Sequence, residues 1–364
     1  MSRRRGITLA LLGALMILPV AGCGSGDDAS APHGSFFGVA PDGELNETDY
    51  ARMASGGVGL VRVAFAWNAV ENDNGNPYDW SGYDRVFLQI AEHGMEPLAT
   101  VFGTPSKYAG DPRTAPTEDA ETFDAWRRFL AAAVQRYGTN GQFWDYVERE
   151  FPDVEPSPLR TWEIWNEPNS STFWQPKPDP KAYGDLLEDS AEVIGEGDGS
   201  ARIMSAGMFA TPQSDDAIVS YEFLEQLLAR DGIDEVVDLV GLHPYAPDSE
   251  AVIEQVDRTH DVVDQSGLGA DLWATEIGWG SNPDVKSDLA KTPDEQARLL
   301  SETMGRLYDD RDTWDLSGAV WYTWHDPPAS LGACGWCRSA GLLEADRDAK
   351  PAWEAFTELS GGSP

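Results

Sequence analysis

The stretch WEIWNEPN, at residues 162–169, has the composition of a β-strand that ends in a loop. Its first half is rich in Trp and Ile, and the glutamate near its end, Glu167, is followed by proline, which cannot extend a central strand. A second stretch, WATEIGWG at residues 273–280, repeats this pattern around Glu276, which is followed by Ile-Gly. We therefore expect two carboxylates at the ends of two separate strands.

Eight runs rich in apolar, β-branched and aromatic residues alternate along the chain with helix-like segments. The runs lie at residues 36–40, 58–65, 96–102, 161–166, 202–206, 237–243, 272–276 and 318–324. The segments between them, such as residues 120–136 and 251–264, carry apolar residues at spacings of three and four, which is typical of amphipathic helices. Such alternation indicates a repeated βα unit with a parallel sheet. The count predicts a single-domain (β/α)8 TIM barrel of the α/β class.

In such a barrel, the loops that follow the strands build the active-site face. Glu167 ends the fourth run and Glu276 the seventh, so we expect them to face each other across the mouth. Strict strand alternation would not aim both Asn166 and Glu167 into one pocket, which implies a bulge or twist at that strand end. Residues 138–160 lie between a helix and a strand and should occupy the opposite end of the barrel.

Two carboxylates that face each other across a pocket suit the cleavage of a glycosidic bond. One carboxyl group gives a proton to the departing oxygen, and the other meets the positive charge that develops at the anomeric carbon. The competing carboxylate is Glu163, which lies four residues before Glu167 and could instead be a buried structural acid paired with an arginine. We prefer Glu167 because it sits at the strand end.

Three motifs together resemble those of clan A glycoside hydrolases, most closely family 39 and next family 5. They are WNEP at residues 165–168, LHPY at 242–245 and TEIGW at 275–279. The resemblance extends to Arg62 in the second run and to WYTW at residues 321–324 in the eighth run. It implies a retaining, double-displacement mechanism in which Glu167 is the general acid/base, Glu276 is the nucleophile and Asn166 binds the sugar 2-hydroxyl.

The motifs, together with the positions of their residues at the predicted rim, indicate which residues contact substrate. They are Asn166, Arg62, His243, Tyr245, Trp324, Trp165 and Trp279. We expect Arg62 and a hydrogen bond from Tyr245 to hold the pKa of Glu276 down, so that the nucleophile stays ionised. Enclosure by tryptophan should favour the protonated form of Glu167.

Fourteen tryptophans are many for a chain of 364 residues, and several fall at the predicted rim. Those at the rim are Trp67, Trp165, Trp174, Trp279, Trp324 and Trp336. The flat face of an aromatic ring suits the C–H face of a pyranose. We expect about half of the six to contact substrate, with Trp324 first by analogy with the clan.

The N-terminal residues resemble a bacterial lipoprotein signal peptide. Arginines at positions 3–5 precede an apolar run at residues 7–20, and the sequence VAGC follows at residues 20–23. We therefore assign residues 1–22 to the signal, residues 23–34 to a flexible tether that begins at a lipidated Cys23, and residues 35–364 to the catalytic domain. A plain signal peptide cut near Gly22 is the alternative. In both cases the protein is exported, either tethered at the extracellular face of the cell membrane or secreted.

The remaining two cysteines, Cys334 and Cys337, are expected to form a disulfide because the protein is exported. A redox motif would need the pair at a helix start within a βαβ unit, and a zinc site would need a second Cys or His pair. We see neither pattern. The five histidines likewise show no cluster of the kind that a metal-dependent hydrolase requires, so no metal and no cofactor is predicted.

The chain has a net charge of −36, and the predicted signal would remove three arginines and no acidic residue. Such an excess of negative charge argues against binding to nucleic acid or to acidic lipid surfaces. We predict a monomer that acts on an extracellular poly- or oligosaccharide, with a membrane contact only through the lipid. The alternatives are a transglycosylase that uses the same residues and a carbohydrate-binding surface lipoprotein without turnover.

Overall fold

The structure, a computed structural model, describes residues 33–71, 78–210, 214–327 and 334–364. Within these ranges, eight parallel strands close into a barrel in chain order. The strands are β1 Phe37–Ala40, β2 Leu60–Ala66, β3 Glu96–Phe102, β4 Thr161–Ile164, β5 Arg202–Ser205, β6 Leu239–Leu242, β7 Asp271–Ile277 and β8 Leu316–Tyr322. Each predicted run overlaps one strand, so the predicted TIM barrel is confirmed.

Helices surround the barrel on its outer side. The helices among the described residues are α1 Glu47–Ser55, α2 Trp67–Val70, α3 Ser81–Glu92, α4 Ala120–Tyr137, α5 Gln142–Glu150, α6 Pro180–Gly197, α7 Ser220–Leu228, α8 Ser249–Ser266, α9 Pro293–Asp309 and α10 Pro351–Ser360. Several begin with a side chain that accepts a hydrogen bond from a backbone N–H of the first turn, as Asp119 does for α4 and Thr292 for α9. These caps explain why the helices begin where they do.

Two apolar cores hold the barrel together. The smaller one fills the barrel interior below the mouth and includes Leu98, Met204, Leu239 and Val320. The larger one lies between the strands and the helices, where alternate strand residues point outward. The described barrel interior is therefore filled with packed side chains below the mouth.

The extra helix α5 lies where the sequence predicts an insertion, between α4 and β4. The backbone N–H of Leu159 donates to the carbonyl of Tyr137, and that of Arg202, at the start of β5, donates to the carbonyl of Arg160. These contacts place the insertion at the amino end of the strands, away from the mouth. None of the helices in the described ranges is both long enough and apolar enough to cross a membrane.

Candidate active site

Glu167 and Glu276 come together at the mouth of the barrel because the backbone leaves regular strand geometry near each of them. Strand β4 stops at Ile164, and Trp165 and Glu167 then adopt φ angles of 72° and 44°. Such left-handed angles are uncommon for residues other than glycine and turn both Asn166 and Glu167 into one cavity. The predicted twist at this strand end is confirmed. In β7 the pairing register with β8 shifts between Ala274 and Ile277, around Glu276.

Arg62, on β2, connects the carboxylates of the site. Its Nη1 donates to Oε1 of Glu276 at 2.5 Å, its Nε to Oε2 of Glu163 at 2.8 Å and its Nη2 to Oδ1 of Asn166 at 3.0 Å. The side chain of Arg62 is 7% exposed. A planar guanidinium has donors in fixed directions, so these three contacts set the positions of all three partners at once.

Glu163 is the buried structural acid that we considered as the alternative to Glu167. Its side chain is fully buried and accepts hydrogen bonds from Arg62, from the hydroxyls of Thr100 and Thr275, and from the backbone N–H of Gly207. The contact with Arg62 holds the pKa of Glu163 below its usual value despite burial. Glu163 therefore remains ionised beneath the cavity and fixes Arg62 from below.

His243 and Tyr245, which follow β6, contact the two glutamates of the cavity. Nδ1 of His243 lies 2.7 Å from Oε1 of Glu167 and 3.7 Å from Oε2 of Glu276. The hydroxyl of Tyr245 donates to Oε2 of Glu276 at 2.7 Å. Burial lowers the pKa of His243, so the imidazole is neutral near pH 7.

The pKa values of both glutamates are raised, and the main cause is burial. Arg62 and Tyr245 act in the opposite direction on Glu276, as the hydrogen bond with His243 does on Glu167. Our expectation that Arg62 and Tyr245 keep the pKa of Glu276 low is therefore wrong in its net direction, because removal from water outweighs both contacts. The charge of Glu276 also raises the pKa of Glu167, because two nearby negative charges repel each other.

One oxygen of Glu167, one oxygen of Glu276 and one ring nitrogen of His243 all lie within 4.8 Å of one another. Three such donors have the composition of a metal-ligand set. The guanidinium of Arg62 already stands 2.5 Å from Glu276, so a divalent cation would be placed beside a fixed positive charge. The donors therefore fit a proton-transfer site better than a metal site.

The cavity above the two glutamates has a volume of about 790 Å³. Its aromatic walls are formed by Phe173, Phe209, Tyr245, Tyr322 and Trp336. Sequence reasoning identified Tyr245 as a contact and placed Trp336 at the rim, but it missed the other three. Tyr322 could have been found from strand alternation, since Val320 before it on β8 points into the barrel. The two phenylalanines lie in loops whose paths no local pattern predicts.

The predicted contacts Trp324, Trp165 and Trp279 do not line the cavity, and we correct that assignment. All three are at most 1% exposed. Each indole N–H is bound within the protein, by Asp49 for Trp324, by the Phe173 carbonyl for Trp165 and by the Ala246 carbonyl for Trp279. Trp324 also packs edge-on against Trp353 of α10, because the chain beyond β8 turns outward toward that helix.

Of the remaining rim tryptophans, Trp67 and Trp174 are buried as well. Trp67 stacks on Phe129 beneath α4, and Trp174 packs on Trp165. Trp336 thus stays as the one rim tryptophan that lines the cavity, fewer than the half that we expected. The general reason is size: indole rings are the largest apolar groups available to fill the layer between strands and helices.

The predicted signal peptide and Cys23 lie outside the described residues. His33, which we assigned to the tether, lies within them, and its Nδ1 is 3.1 Å from the Tyr308 hydroxyl. His33 therefore contacts α9 of the barrel. The sulfur atoms of Cys334 and Cys337 are joined in a disulfide in the loop after β8.

Solved structures with the same fold include enzymes of the two families that the motifs resemble. A family 39 glycoside hydrolase from Bacteroides cellulosilyticus WH2 is 19% identical with a TM-score of 0.62, over 90% of this chain and 63% of that one. A monomeric β-xylosidase from Caulobacter crescentus CB15 is also 19% identical with a TM-score of 0.62, over 91% and 69%. A family 5, subfamily 18 protein from Bifidobacterium longum subsp. infantis is 16% identical with a TM-score of 0.62, over 90% and 78%.

At these identities the likeness establishes the barrel fold. This chain spans less than two thirds of the length of the Bacteroides enzyme. No protein-family model matches the sequence, and no curated protein matches it. Evidence for the chemistry of the site therefore comes from its own residues.

Proposed function

We propose that the protein is a retaining glycoside hydrolase in which Glu276 is the nucleophile and Glu167 the general acid/base. The observation that carries this proposal is the approach of the two carboxylates, one oxygen of each lying within 4.8 Å of the other. Retaining enzymes place their carboxyl groups about 5–5.5 Å apart, whereas inverting enzymes need about 6.5–9.5 Å to admit a water molecule. A separation this short favours covalent catalysis.

The surroundings of the two carboxylates support unequal roles. Glu276 faces the fixed positive charge of Arg62 and the hydroxyl of Tyr245, both of which stabilise its ionised form. Glu167 faces a neutral imidazole, which can donate to the carboxylate or accept from the carboxylic acid. Because two ionised carboxylates would repel each other, we assign the shared proton to Glu167, whose pKa is raised by burial and by the charge of Glu276.

The proposed reaction proceeds in two displacements. The Glu276 carboxylate attacks the anomeric carbon, the glycosidic C–O bond breaks, and Glu167 gives its proton to the departing oxygen. Glu167, now ionised, takes a proton from water, whose oxygen attacks the same carbon and releases Glu276. Asn166 lines the cavity, and its Oδ1 accepts from Arg62, so its amide N–H groups are the donors that we assign to the sugar 2-hydroxyl.

We further propose that the protein acts on an extracellular poly- or oligosaccharide as a monomer, anchored through Cys23 or secreted, and that it needs no cofactor. The export assignment rests on the composition of residues 1–23. A transglycosylase would use the same residues and differ in the acceptor that attacks the glycosyl-enzyme. A binding lipoprotein would not need one carboxylate beside a cation and a second beside a neutral imidazole.

Substitution of Glu276 tests the proposal. We expect Glu276→Gln to lower turnover of an activated aryl glycoside by at least about a thousandfold while sugar binding survives. The exposed Glu302→Gln is the matched control and should leave turnover unchanged. Wild-type protein that is inactive on a broad glycan panel, yet binds one glycan tightly, would favour the binding lipoprotein. Net inversion of the first-formed anomer, observed by NMR, would remove Glu276 from the nucleophile role.

A further inference from the structure

Trp336 differs from the other tryptophans of this protein in what surrounds its ring. All fourteen tryptophans lie within the described residues, and twelve of them are buried. The two that keep partial exposure are Trp80, which packs against Phe129 and Tyr137, and Trp336, which lines the cavity above Glu167 and Glu276. A large apolar ring left partly in water beside a polar site is typical of a binding surface.

The loop that carries Trp336 is held in place by a disulfide around this residue and by hydrogen bonds that follow it in the chain. The disulfide joins Cys334 to Cys337, so the two residues between them are enclosed in a short covalent ring. On the far side, the carbonyl of Ser339 accepts hydrogen bonds from the backbone N–H of Ser281 at 2.8 Å and from Nζ of Lys350 at 3.1 Å. These contacts restrict the backbone of Trp336, which lowers the entropy lost when its ring binds a ligand.

Close backbone approach fixes the same loop against the segment after β7. A Cβ atom on Gly280 would lie 2.5 Å from the carbonyl oxygen of Trp336, so a glycine is required at this position. A Cβ atom on Gly335 would lie 3.3 Å from the side chain of Val285. The loop is therefore seated on the β7 segment that carries the proposed nucleophile.

Aromatic contacts orient the indole toward the reacting centre. The ring of Trp336 meets Tyr245 edge-on at 5.0 Å and Tyr322 edge-on at 6.2 Å between ring centroids. Tyr245 in turn stacks on Phe209 at 5.0 Å and donates to Glu276. An edge-on contact does not stack two ring faces on each other, so cavity volume remains beside the Trp336 ring for a ligand.

We propose that Trp336 is a sugar-binding platform and that the Cys334–Cys337 disulfide holds it over the cavity. Its ligand is the C–H face of an uncharged pyranose, since the described cavity lining contains no lysine, arginine or histidine. This inference rests on the proposed glycosidase function and adds a specificity determinant to it. Trp336 contributes binding, whereas Glu167 and Glu276 carry the bond chemistry.

Binding measurements on the full-length chain test the platform without depending on turnover. We expect Glu276→Gln to bind a member of a soluble oligosaccharide panel, and the double variant Glu276→Gln/Trp336→Ala to bind the same oligosaccharide about tenfold more weakly. Trp336→Phe should recover part of the affinity, because it restores an aromatic face. Arg338→Ala changes an exposed residue of the same turn and serves as the matched control, with unchanged affinity.

The role of the disulfide is tested with Cys334→Ser/Cys337→Ser and with a phosphine reductant. Both treatments should weaken sugar binding severalfold, and the reductant should have no further effect on the double serine variant. In the otherwise wild-type enzyme, Trp336→Ala should raise KM with kcat changed less than about twofold.

Unchanged affinity in the Trp336→Ala variants, or a loss of kcat at constant KM, would overturn the platform. A different outcome is that Trp336→Ala loses sugar binding although the wild type turns over no glycoside. That outcome would support the platform and would reject the proposed hydrolase.

Discussion

The three nitrogens of the Arg62 guanidinium each bind a different partner, and this division organises the site at the residue scale. Nε binds Glu163 below the cavity, Nη1 binds Glu276 within it, and Nη2 binds Asn166. A lysine could supply the charge but not three fixed directions. Arg62 and Tyr245 both favour the ionised form of Glu276, against a burial effect that raises its pKa.

The hydrogen bond from Tyr245 is therefore expected to shape the pH profile. Its removal in Tyr245→Phe should raise the pKa of Glu276 further, because the bond stabilises the carboxylate. Glu276 must be ionised to react, so the acidic limb of kcat/KM against pH should move to higher pH, and kcat/KM at the optimum should fall about tenfold.

Tyr322→Phe provides the matched tyrosine control for this profile. Its hydroxyl donates to Asp42 at 2.8 Å instead of to Glu276, so the acidic limb should stay in place. An acidic limb that is equally placed in the wild type and in Tyr245→Phe would show that Tyr245 does not set the ionisation of the nucleophile.

At the scale of elements, the long connection from β8 to α10 is held by a buried ion pair. Nζ of Lys350 lies 2.6 Å from Oδ1 of Asp326, which also accepts from the backbone N–H of Gly341. Lys350 is 1% exposed at its side chain, and it also donates to Ser281 on the β7 side. The pair thus connects the eighth-strand loop, the β7 loop and the start of α10.

Breaking this pair should destabilise the fold strongly. We expect Lys350→Met to lower the free energy of unfolding by about 3–5 kcal/mol, because it leaves the Asp326 carboxylate buried without its cation. Urea unfolding followed by circular dichroism measures the change. Arg298→Met, which breaks an exposed helical pair with Glu302, should cost no more than about 0.5 kcal/mol. Comparable losses in both variants would contradict the proposed role of burial.

At the scale of the whole molecule, the charge distribution bears on the choice of substrate. The chain carries 62 acidic against 26 basic residues, and its isoelectric point is about 4.2. The described residues that line the cavity include Glu167, Glu276 and Asp288 but no lysine or arginine. The internal segments outside the description, 72–77, 211–213 and 328–333, contain no lysine, arginine or histidine in their sequence. Arg62, just below, is already bound by two carboxylates.

An anionic sugar would therefore meet like charges without a cation to pair with. We expect the neutral aryl glycoside that the enzyme prefers to be cleaved about a hundredfold more efficiently than the corresponding uronide, since like charges brought together cost several kcal/mol. The two substrates differ only at C6, and kcat/KM for each is the measurement. A uronide that is cleaved as well as its neutral counterpart would show that the acidic surroundings do not select the substrate.

The barrel and the position of Glu167 and Glu276 at its mouth could be predicted from sequence because both depend on local patterns. The fourth and seventh runs each have the composition of a strand and are each followed by a residue that ends a strand, Pro168 or Gly278. In a barrel of parallel strands, the ends of all strands lie at the same rim, so both glutamates are placed there. Local patterns do not predict the exposure of the tryptophans. Trp324, Trp165 and Trp279 have the composition expected at a rim, yet helices packed outside the strands cover them.

Periodicity and strand ends are encoded over a few neighbouring residues, so the barrel, the pairing of its glutamates and the likeness of their motifs to those of sugar-cleaving enzymes follow from the amino-acid sequence. The set of aromatic rings that face the cavity and the net direction in which the pKa of Glu276 moves follow instead from the three-dimensional fold. Those properties depend on groups far apart in the chain, such as Arg62 and Tyr245 around Glu276 or the disulfide loop that presents Trp336. Desolvation and packing act on the assembled fold, so no local pattern records them.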